Sequence, residues 1–236
     1  MNVTELRVQN YRSLSDTGWV EIDNLTCLVG RNESGKTAFM RAAEKLNPAY
    51  GDGKYVPYAE YPREEWPEYS DRHDEDPDVV ASGRFRLDDD DVAAIEAAFT
   101  EDIVADREIT VHRDYASERH WELALAEDAC LSHLRETHDF GEKTDSELAN
   151  AESVAALPEG VYKTVESELG GEPVPTLAAD IGQTVLSERL PAFRFVGEYS
   201  VMNGMIDIEA LLAGASEVAD DLGPSLFDSP AYAYGA

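Results

Sequence analysis

The order of apolar and polar positions predicts short strands followed by a helix near the N-terminus. Thr4–Val8 and Trp19–Ile22 alternate apolar and polar residues, as half-buried strands do. Leu25–Val29 is mostly apolar, which is typical of a strand buried on both faces. Thr37–Leu46 has apolar residues at helical spacing and is followed by an Asn-Pro pair, so we expect a helix that ends there.

The rest of the chain continues this mixture of strands and helices. The predicted elements are, in chain order, a strand at Val79–Leu87, a helix at Asp88–Phe99, a hairpin formed by Glu108–Arg113 and Trp121–Leu125, a mostly helical region at residues 128–190, and a strand at Phe193–Val196. This order lacks the regular alternation of a doubly wound sheet. We therefore predict an α/β fold with mixed or antiparallel strands and a helical C-terminal portion.

Two segments lack periodicity. Residues 50–78 contain aromatic, proline and acidic residues, and we expect an irregular surface excursion. Its aromatic side chains are expected to anchor this excursion to the core, with a base-stacking platform as the alternative. The chain from Asp220 onward has no periodic core, and we expect one domain at residues 1–212 and a flexible tail at residues 213–236.

The charge of the chain is strongly acidic. Lys and Arg number 19 and Asp and Glu number 49, which gives a formal net charge of −30. A local cation site would explain a local acidic run, but this excess is spread along the whole chain, which favours adaptation to high salt. The charge disfavours nucleic-acid binding, although at ~1 M salt a Debye length of ~3 Å would let a small basic patch contact DNA.

Other features exclude several classes of protein. No apolar segment approaches the ~18 residues that a membrane span needs, and the N-terminus lacks the pattern of a signal peptide. Cys27 and Cys130 are the only cysteines, which excludes a disulfide scaffold and a cysteine zinc site. We expect a cytoplasmic protein.

A glycine-rich motif follows the predicted buried strand and opens the predicted helix. Its residues fit G-x-x-x-x-G-K-[ST], the P-loop: Gly30, Arg31, Asn32, Glu33, Ser34, Gly35, Lys36 and Thr37. The glycines allow a turn whose N–H groups converge on an anion, and the following helix adds the positive end of its dipole. Lys36 would contact the β- and γ-phosphates, and the Thr37 hydroxyl would bind Mg²⁺.

The motif and its surroundings resemble one group of ATPases. Asn10–Ser13 matches an N-[FY]-[RK]-[SC] segment, and Asn24–Asn32 matches the strand that leads into the loop. Together they resemble the N-terminal lobe of ABC-type ATPases of the SMC, RecF and OLD-nuclease kind, and most closely the OLD-like AAA_15 type. Leu190–Phe195 is similar to the strand before the inserted helical arm of these proteins.

The resemblance implies an ATP and Mg²⁺ site. The expected binding residues are Arg12, Gly30, Arg31, Asn32, Glu33, Ser34, Gly35, Lys36, Thr37 and Ala38, with Thr37 as the metal ligand. Asn32 and the loop backbone would cradle the β-phosphate. Arg12 would lie near the nucleotide, and a solvated turn residue is an equal alternative. Glu33 occupies a variable position of the loop.

The elements required for hydrolysis are not recognisable in the sequence. No run of four apolar residues is followed by Asp-Glu, and no LSGGQ-like signature occurs; the family carries both in its C-terminal half. We therefore expect half of an ATPase, which acts as a homodimer or with a partner chain and serves DNA repair, recombination or phage defence. The alternatives are a non-hydrolysing interaction subunit and, less favoured because only Arg189 and Arg194 follow residue 135, a small P-loop kinase.

Overall fold

A computed structural model describes residues 1–197, in which strands and helices form a mixed α/β fold. The strands are β1 (Asn2–Tyr11), β2 (Leu14–Asp16), β3 (Val20–Glu21), β4 (Val79–Arg86), β5 (Val104–Asp114) and β6 (Arg119–Leu125). The helices are α1 (Lys36–Glu44), α2 (Pro57–Glu60), α3 (Trp66–Tyr69), α4 (Asp89–Ala98), α5 (Glu127–Thr137), α6 (Glu142–Asn150), α7 (Glu159–Leu169) and α8 (Pro173–Ile181), with a 3-10 turn at Val154–Ala156 and a π-helical turn at Gly182–Leu186. The predicted tail at residues 213–236 and the last part of the predicted domain lie outside the described residues.

The strands form one antiparallel sheet. Its order is β2-β1-β4-β5-β6, and β3 pairs with the other part of β1. Leu6 on β1 lies opposite Gly83 on β4, which in turn lies opposite Val111 on β5. Alternate residues such as Leu6, Phe85 and Val111 point to one face and are buried, because that face is covered by helices. The predicted strands at 4–8 and 79–87 and the predicted hairpin are confirmed.

The helices lie in two groups. Helices α1, α4 and α8 pack on the apolar face of the sheet and share its core. Helices α5, α6 and α7 enclose a second apolar cluster with its own residues, namely Leu131, Leu134, Leu148, Val154, Leu157, Val161 and Val165. The predicted helical character of residues 128–190 is confirmed. Helix α4 begins at a capping box in which the side chains of Asp88 and Asp91 each accept from the other residue's amide.

The excursion at residues 50–78 is anchored by its aromatic side chains, as predicted. Only the short helices α2 and α3 interrupt its irregular course. Tyr55, Tyr61 and Tyr69 are buried, and the rings of Tyr61 and Tyr69 stack with their centroids 4.0 Å apart. Tyr115, in the turn directly after β5, lies 5.5 Å from Tyr61 by ring centroids, so the excursion packs against the end of the β5–β6 hairpin. These rings are occupied by core packing, which disfavours the base-stacking alternative.

The predicted buried strand at residues 25–29 is wrong. This segment is irregular, and Leu25 and Val29 are 91% and 90% exposed. Burial on both faces requires flanking strands, and within residues 1–197 no strand pairs with it. The predicted strand at 193–196 is also wrong, since only Phe193 pairs, through one parallel bridge to Pro48. Met40, from the apolar pattern of the predicted helix, is half exposed.

None of the described helices combines the length and the apolar character required to cross a membrane.

We expect Gly182→Ala to destabilise the fold. A Cβ atom at Gly182 would lie 2.2 Å from Cγ of the buried Trp121 ring, which is too bulky to move aside cheaply. Overpacking of this kind costs ~1–3 kcal/mol, which denaturant unfolding would measure as a loss of unfolding free energy. Gly160→Ala in α7 is the control, because a Cβ there has nothing within 4 Å. Equal stabilities of the two variants would contradict the expectation.

Candidate functional site

The P-loop connects the exposed segment at residues 25–29 to helix α1. Glu33 and Gly35 adopt left-handed backbone conformations, with φ of 68° and 89°. Helix α1 begins at Lys36, and no side chain caps its first turn. Its first amides are therefore left without the usual side-chain acceptor, and backbone of alternating hand is the geometry that forms anion-binding concavities. This arrangement suits an anion.

The Lys36 side chain folds back across the loop. Its ammonium group donates to the Gly30 carbonyl at 2.8 Å, the Arg31 carbonyl at 2.6 Å and the Ser34 hydroxyl at 3.3 Å. Gly30 permits this close turn, since a Cβ there would lie 2.7 Å from Ser34 Oγ. All three donors of the ammonium group are directed to the loop itself, so a bound phosphate would replace at least one of these hydrogen bonds.

The loop and the turn after β1 surround one cavity of about 560 Å³. The residues that line it are Arg12, Ser13, Asn32, Glu33, Ser34, Gly35, Lys36, Thr37 and Ala38. Gly30 and Arg31 contribute carbonyls that hold Lys36. The structure thus brings the expected residues together, although Arg12 is distant from the loop in sequence. The turn approaches closely because Gly35 has no side chain: a Cβ there would lie 2.5 Å from Leu14 Cδ2.

Arg12 lies between this cavity and a second one. The neighbouring cavity, of about 540 Å³, is formed by the same turn and the excursion, and Arg12 and Ser13 line both. The Arg12 backbone is left-handed, with φ of 56°, and its amide donates to the Glu60 carbonyl at 2.5 Å. Its guanidinium is half exposed and lies 5.5 Å from the centroid of the Tyr11 ring. Arg12 thus lies in the turn between the two cavities, with its side chain half exposed.

A buried carboxylate, Glu60, lies behind this turn. Its oxygens accept from the Lys45 ammonium at 2.7 Å, the Tyr11 hydroxyl at 2.8 Å and the Val56 amide at 2.9 Å. Burial raises the pKa of Glu60, but the hydrogen bonds from Lys45, Val56 and Tyr11 outweigh this effect and keep the pKa below its ordinary value. Burial and the Glu60 carboxylate raise the pKa of Tyr11. Glu60 is therefore ionised at neutral pH.

The other end of helix α1 is held by two arginines from the β5–β6 hairpin. Arg113 donates to the Lys45 carbonyl and, at 2.9 Å, to the Asp52 carbonyl. Arg119 donates to the Leu46 carbonyl at 3.3 Å and to the Asn47 side chain at 2.7 Å. Cations at the C-terminal end of a helix complement its dipole and satisfy carbonyls that have no partner in the helix. Helix α1 is thereby fixed at the end that lies away from the loop.

The contacts of Glu60, Arg113, Arg119 and Leu14 are features that sequence reasoning missed. The sequence around these residues gives no signal, because each contact joins residues that are far apart along the chain. Gly35 is the exception, since a glycine at this position of the motif indicates a close neighbour, here Leu14. Thr37 lies at the start of α1 and lines the cavity, as a ligand of a phosphate-bound Mg²⁺ would. No cluster of three or more His, Cys, Asp or Glu suited to a metal occurs in the part of the chain that the structure describes.

An antiparallel sheet covered by helices on one face, with a glycine-rich loop at a helix N-terminus, fits an AAA-type ATPase domain. Residues 1–148 match the family model AAA_15, an AAA ATPase domain. The match covers more than half of the 236 residues, and the chain belongs to this family. Membership implies nucleotide binding.

A curated protein gives a second, local match. A probable glucose-6-phosphate isomerase from Haloarcula marismortui is 77% identical over 31 residues. This stretch is 13% of the chain and 7% of that protein, so the chain covers only a small part of the curated relative. A stretch of this size carries no argument about the site described above.

We expect Gly35→Ala to cost more stability than Gly51→Ala. Both glycines have positive φ, so alanine is strained at either position. A Cβ has nothing within 4 Å at Gly51, whereas at Gly35 it would meet Leu14. Displacement of the turn should add ~1 kcal/mol, which denaturant unfolding of the two variants would measure. A smaller loss for Gly35→Ala would show that the turn does not press on the loop.

Proposed function

We propose that the chain binds Mg-ATP in the cavity between the P-loop and the turn after β1. The observation that supports this most strongly is the convergence of the uncapped N-terminus of α1, Lys36 and Arg12 on one cavity. Uncapped amides and two cations favour a polyanion strongly, and a chain of net charge −30 would otherwise repel one. Membership of the AAA_15 family supports the same conclusion.

Each residue of the loop would have a role in nucleotide binding that follows from its chemistry. Lys36 would contact the β- and γ-phosphates, and the Thr37 hydroxyl would bind the Mg²⁺ that bridges them. Asn32 and the loop amides from Glu33 to Ala38 would cradle the β-phosphate. Arg12 would contact the nucleotide at the boundary of the two cavities, and the second cavity, between the turn and the excursion, offers space for the nucleoside.

We further propose that the chain serves as the ATP-binding module of an SMC-, RecF- or OLD-like ATPase in the cytoplasm. Such a role would link it to DNA repair, recombination or phage defence. The support is the pair of motifs at Asn10–Ser13 and Asn24–Asn32, together with the family match. The assignment to DNA is by analogy of fold. The isomerase activity named for the Haloarcula protein is not proposed for this chain.

A second candidate function is that of an interaction subunit that needs a partner chain, or a second copy, for hydrolysis. The exposed segment at residues 25–29 favours it, since Leu25 and Val29 have no cover among the described residues. Beside it lies an apolar groove of about 490 Å³, lined by residues that include Leu28, Met40 and Phe195. A partner that supplies the Asp-Glu strand and the signature would complete this edge of the domain.

We expect Lys36→Ala to weaken the binding of Mg-ATP ~10- to 100-fold. The variant removes a charge-assisted hydrogen bond worth ~1.5–3 kcal/mol, and each 1.4 kcal/mol is tenfold in affinity. Isothermal titration of the folded chain with ATP, with and without Mg²⁺, measures this loss. Lys54→Ala is the matched control, because it removes the same positive charge from an exposed lysine that lies away from the loop.

Equal affinities of the wild type and Lys36→Ala would end the proposal of a P-loop nucleotide site. Phosphate release then separates the two candidate functions. Turnover by the chain alone at ordinary enzyme rates would contradict the second candidate. Turnover that occurs only after a partner chain is added would support it.

We propose that the acidic surface is an adaptation to high salt. At a net charge of −30, electrostatic repulsion within the folded chain is large. Salt at ~1 M screens this repulsion, because it shortens the Debye length to ~3 Å. The free energy of unfolding should therefore rise continuously with KCl and much less with sucrose. A rise that saturates at millimolar Ca²⁺ or Mg²⁺ would instead indicate a local cation site and contradict the proposal.

A further inference from the structure

Glu60 is an unusual carboxylate for this chain. Most of the acidic residues lie at the surface, whereas Glu60 is 7% exposed and ionised. It is the last residue of the short helix α2 in the excursion. Burial of a charge is costly unless partners compensate for it, so the contacts of Glu60 indicate what it holds in place.

One set of contacts joins Glu60 to the P-loop helix. The Lys45 ammonium lies 2.7 Å from both carboxylate oxygens, and Lys45 directly follows the last residue of α1. The same ammonium donates to the Lys54 carbonyl at 2.9 Å, which attaches the start of the excursion. The buried ion pair thus fixes the excursion relative to the helix that carries the loop.

A second set joins Glu60 to the turn that carries Arg12. The Tyr11 hydroxyl donates to the carboxylate, and the Glu60 carbonyl accepts from the Arg12 amide. The left-handed conformation of Arg12 is disfavoured for a residue of its type, whereas Asn10, with φ of 50°, is one of the residues that tolerate it. The hydrogen bond that the Arg12 amide donates to the Glu60 carbonyl helps to offset this strain. The guanidinium forms a long ion pair with the Glu60 carboxylate, at 3.9 Å, and its half-exposed side chain still lines the cavity beside the P-loop.

We propose that Glu60 is a positioning residue of the nucleotide site, which acts by fixing Arg12 relative to the P-loop. This inference rests on the proposed function. It assigns a role to the excursion, because the buried tyrosines and the Lys45–Glu60 ion pair hold Glu60 against both α1 and the turn after β1. An alternative is that Glu60 only stabilises the core.

The sign of one substitution separates these two roles. Glu60→Gln removes a negative charge near the cavity, so simple electrostatics would strengthen the binding of a polyanion. If Glu60 positions Arg12, the variant instead weakens Mg-ATP binding, by ~10-fold, as expected for coupled neighbours. Glu68→Gln is the matched control, because it removes the same charge from an exposed position of the excursion.

A double-mutant cycle tests whether the effect passes through Arg12. In an Arg12→Ala background, Glu60→Gln should change the affinity less than twofold, because there is no longer a guanidinium to position. The inference would be overturned if the affinity losses of the two single variants multiplied in the double variant. It would also be overturned if Glu60→Gln alone bound Mg-ATP as tightly as the wild type or more tightly. If Glu60→Gln does not fold, Tyr11→Phe removes one partner of the carboxylate and should weaken binding in the same direction.

Hydrogen exchange provides a readout that is independent of nucleotide. Glu60→Gln should accelerate exchange at the Arg12 amide, while the Thr17 amide, which donates to Val8 at 3.0 Å, keeps its rate. If the wild type binds no nucleotide, the proposed function fails, and the exchange rates still decide whether Glu60 holds Arg12. Unchanged exchange at Arg12 would overturn the inference in either case.

Discussion

The attachment of helix α1 at its C-terminal end is the interaction on which the site depends. Arg113 and Arg119 donate to carbonyls at this end, and Lys45 makes a buried ion pair with Glu60. The N-terminal end has no capping side chain and faces the cavity. Cations at one end and free amides at the other give the helix a fixed orientation and an open positive pole. The anion site proposed at the P-loop would therefore rest on a helix that is attached at its far end.

The excursion extends this attachment to the other side of the cavity. Its buried tyrosines pack against Tyr115 in the turn after β5, and its ion pair reaches the end of α1. The turn that carries Arg12 is therefore held by the same cluster that holds the helix. A segment with little periodicity in sequence can still be well fixed, because large aromatic side chains bury much apolar area with few rotatable bonds.

Local pattern predicted the elements that their own periodicity defines. Strand β4, helix α4 and the β5–β6 hairpin follow from periodicity and, for α4, from the acidic residues at its start. The capping box of α4 was not predicted. The loop residues and Thr37 were predicted from a motif, and the structure gathers them with Arg12. Leu25–Val29 was predicted wrongly, because an apolar run shows that cover is needed and not that it is present. Glu60 was missed, because its partners Tyr11 and Lys45 are far from it in sequence.

The exposed segment at residues 25–29 also bears on contacts between copies of the chain. Within residues 1–197 no strand pairs with this irregular segment, so its amides and carbonyls are open to pairing with another chain. In dilute buffer, repulsion between molecules that each carry −30 keeps such edges apart. Dissolved ions shorten the reach of that repulsion. High salt, which we propose stabilises this acidic domain, should therefore also lower the protein concentration at which the exposed segments of two copies associate.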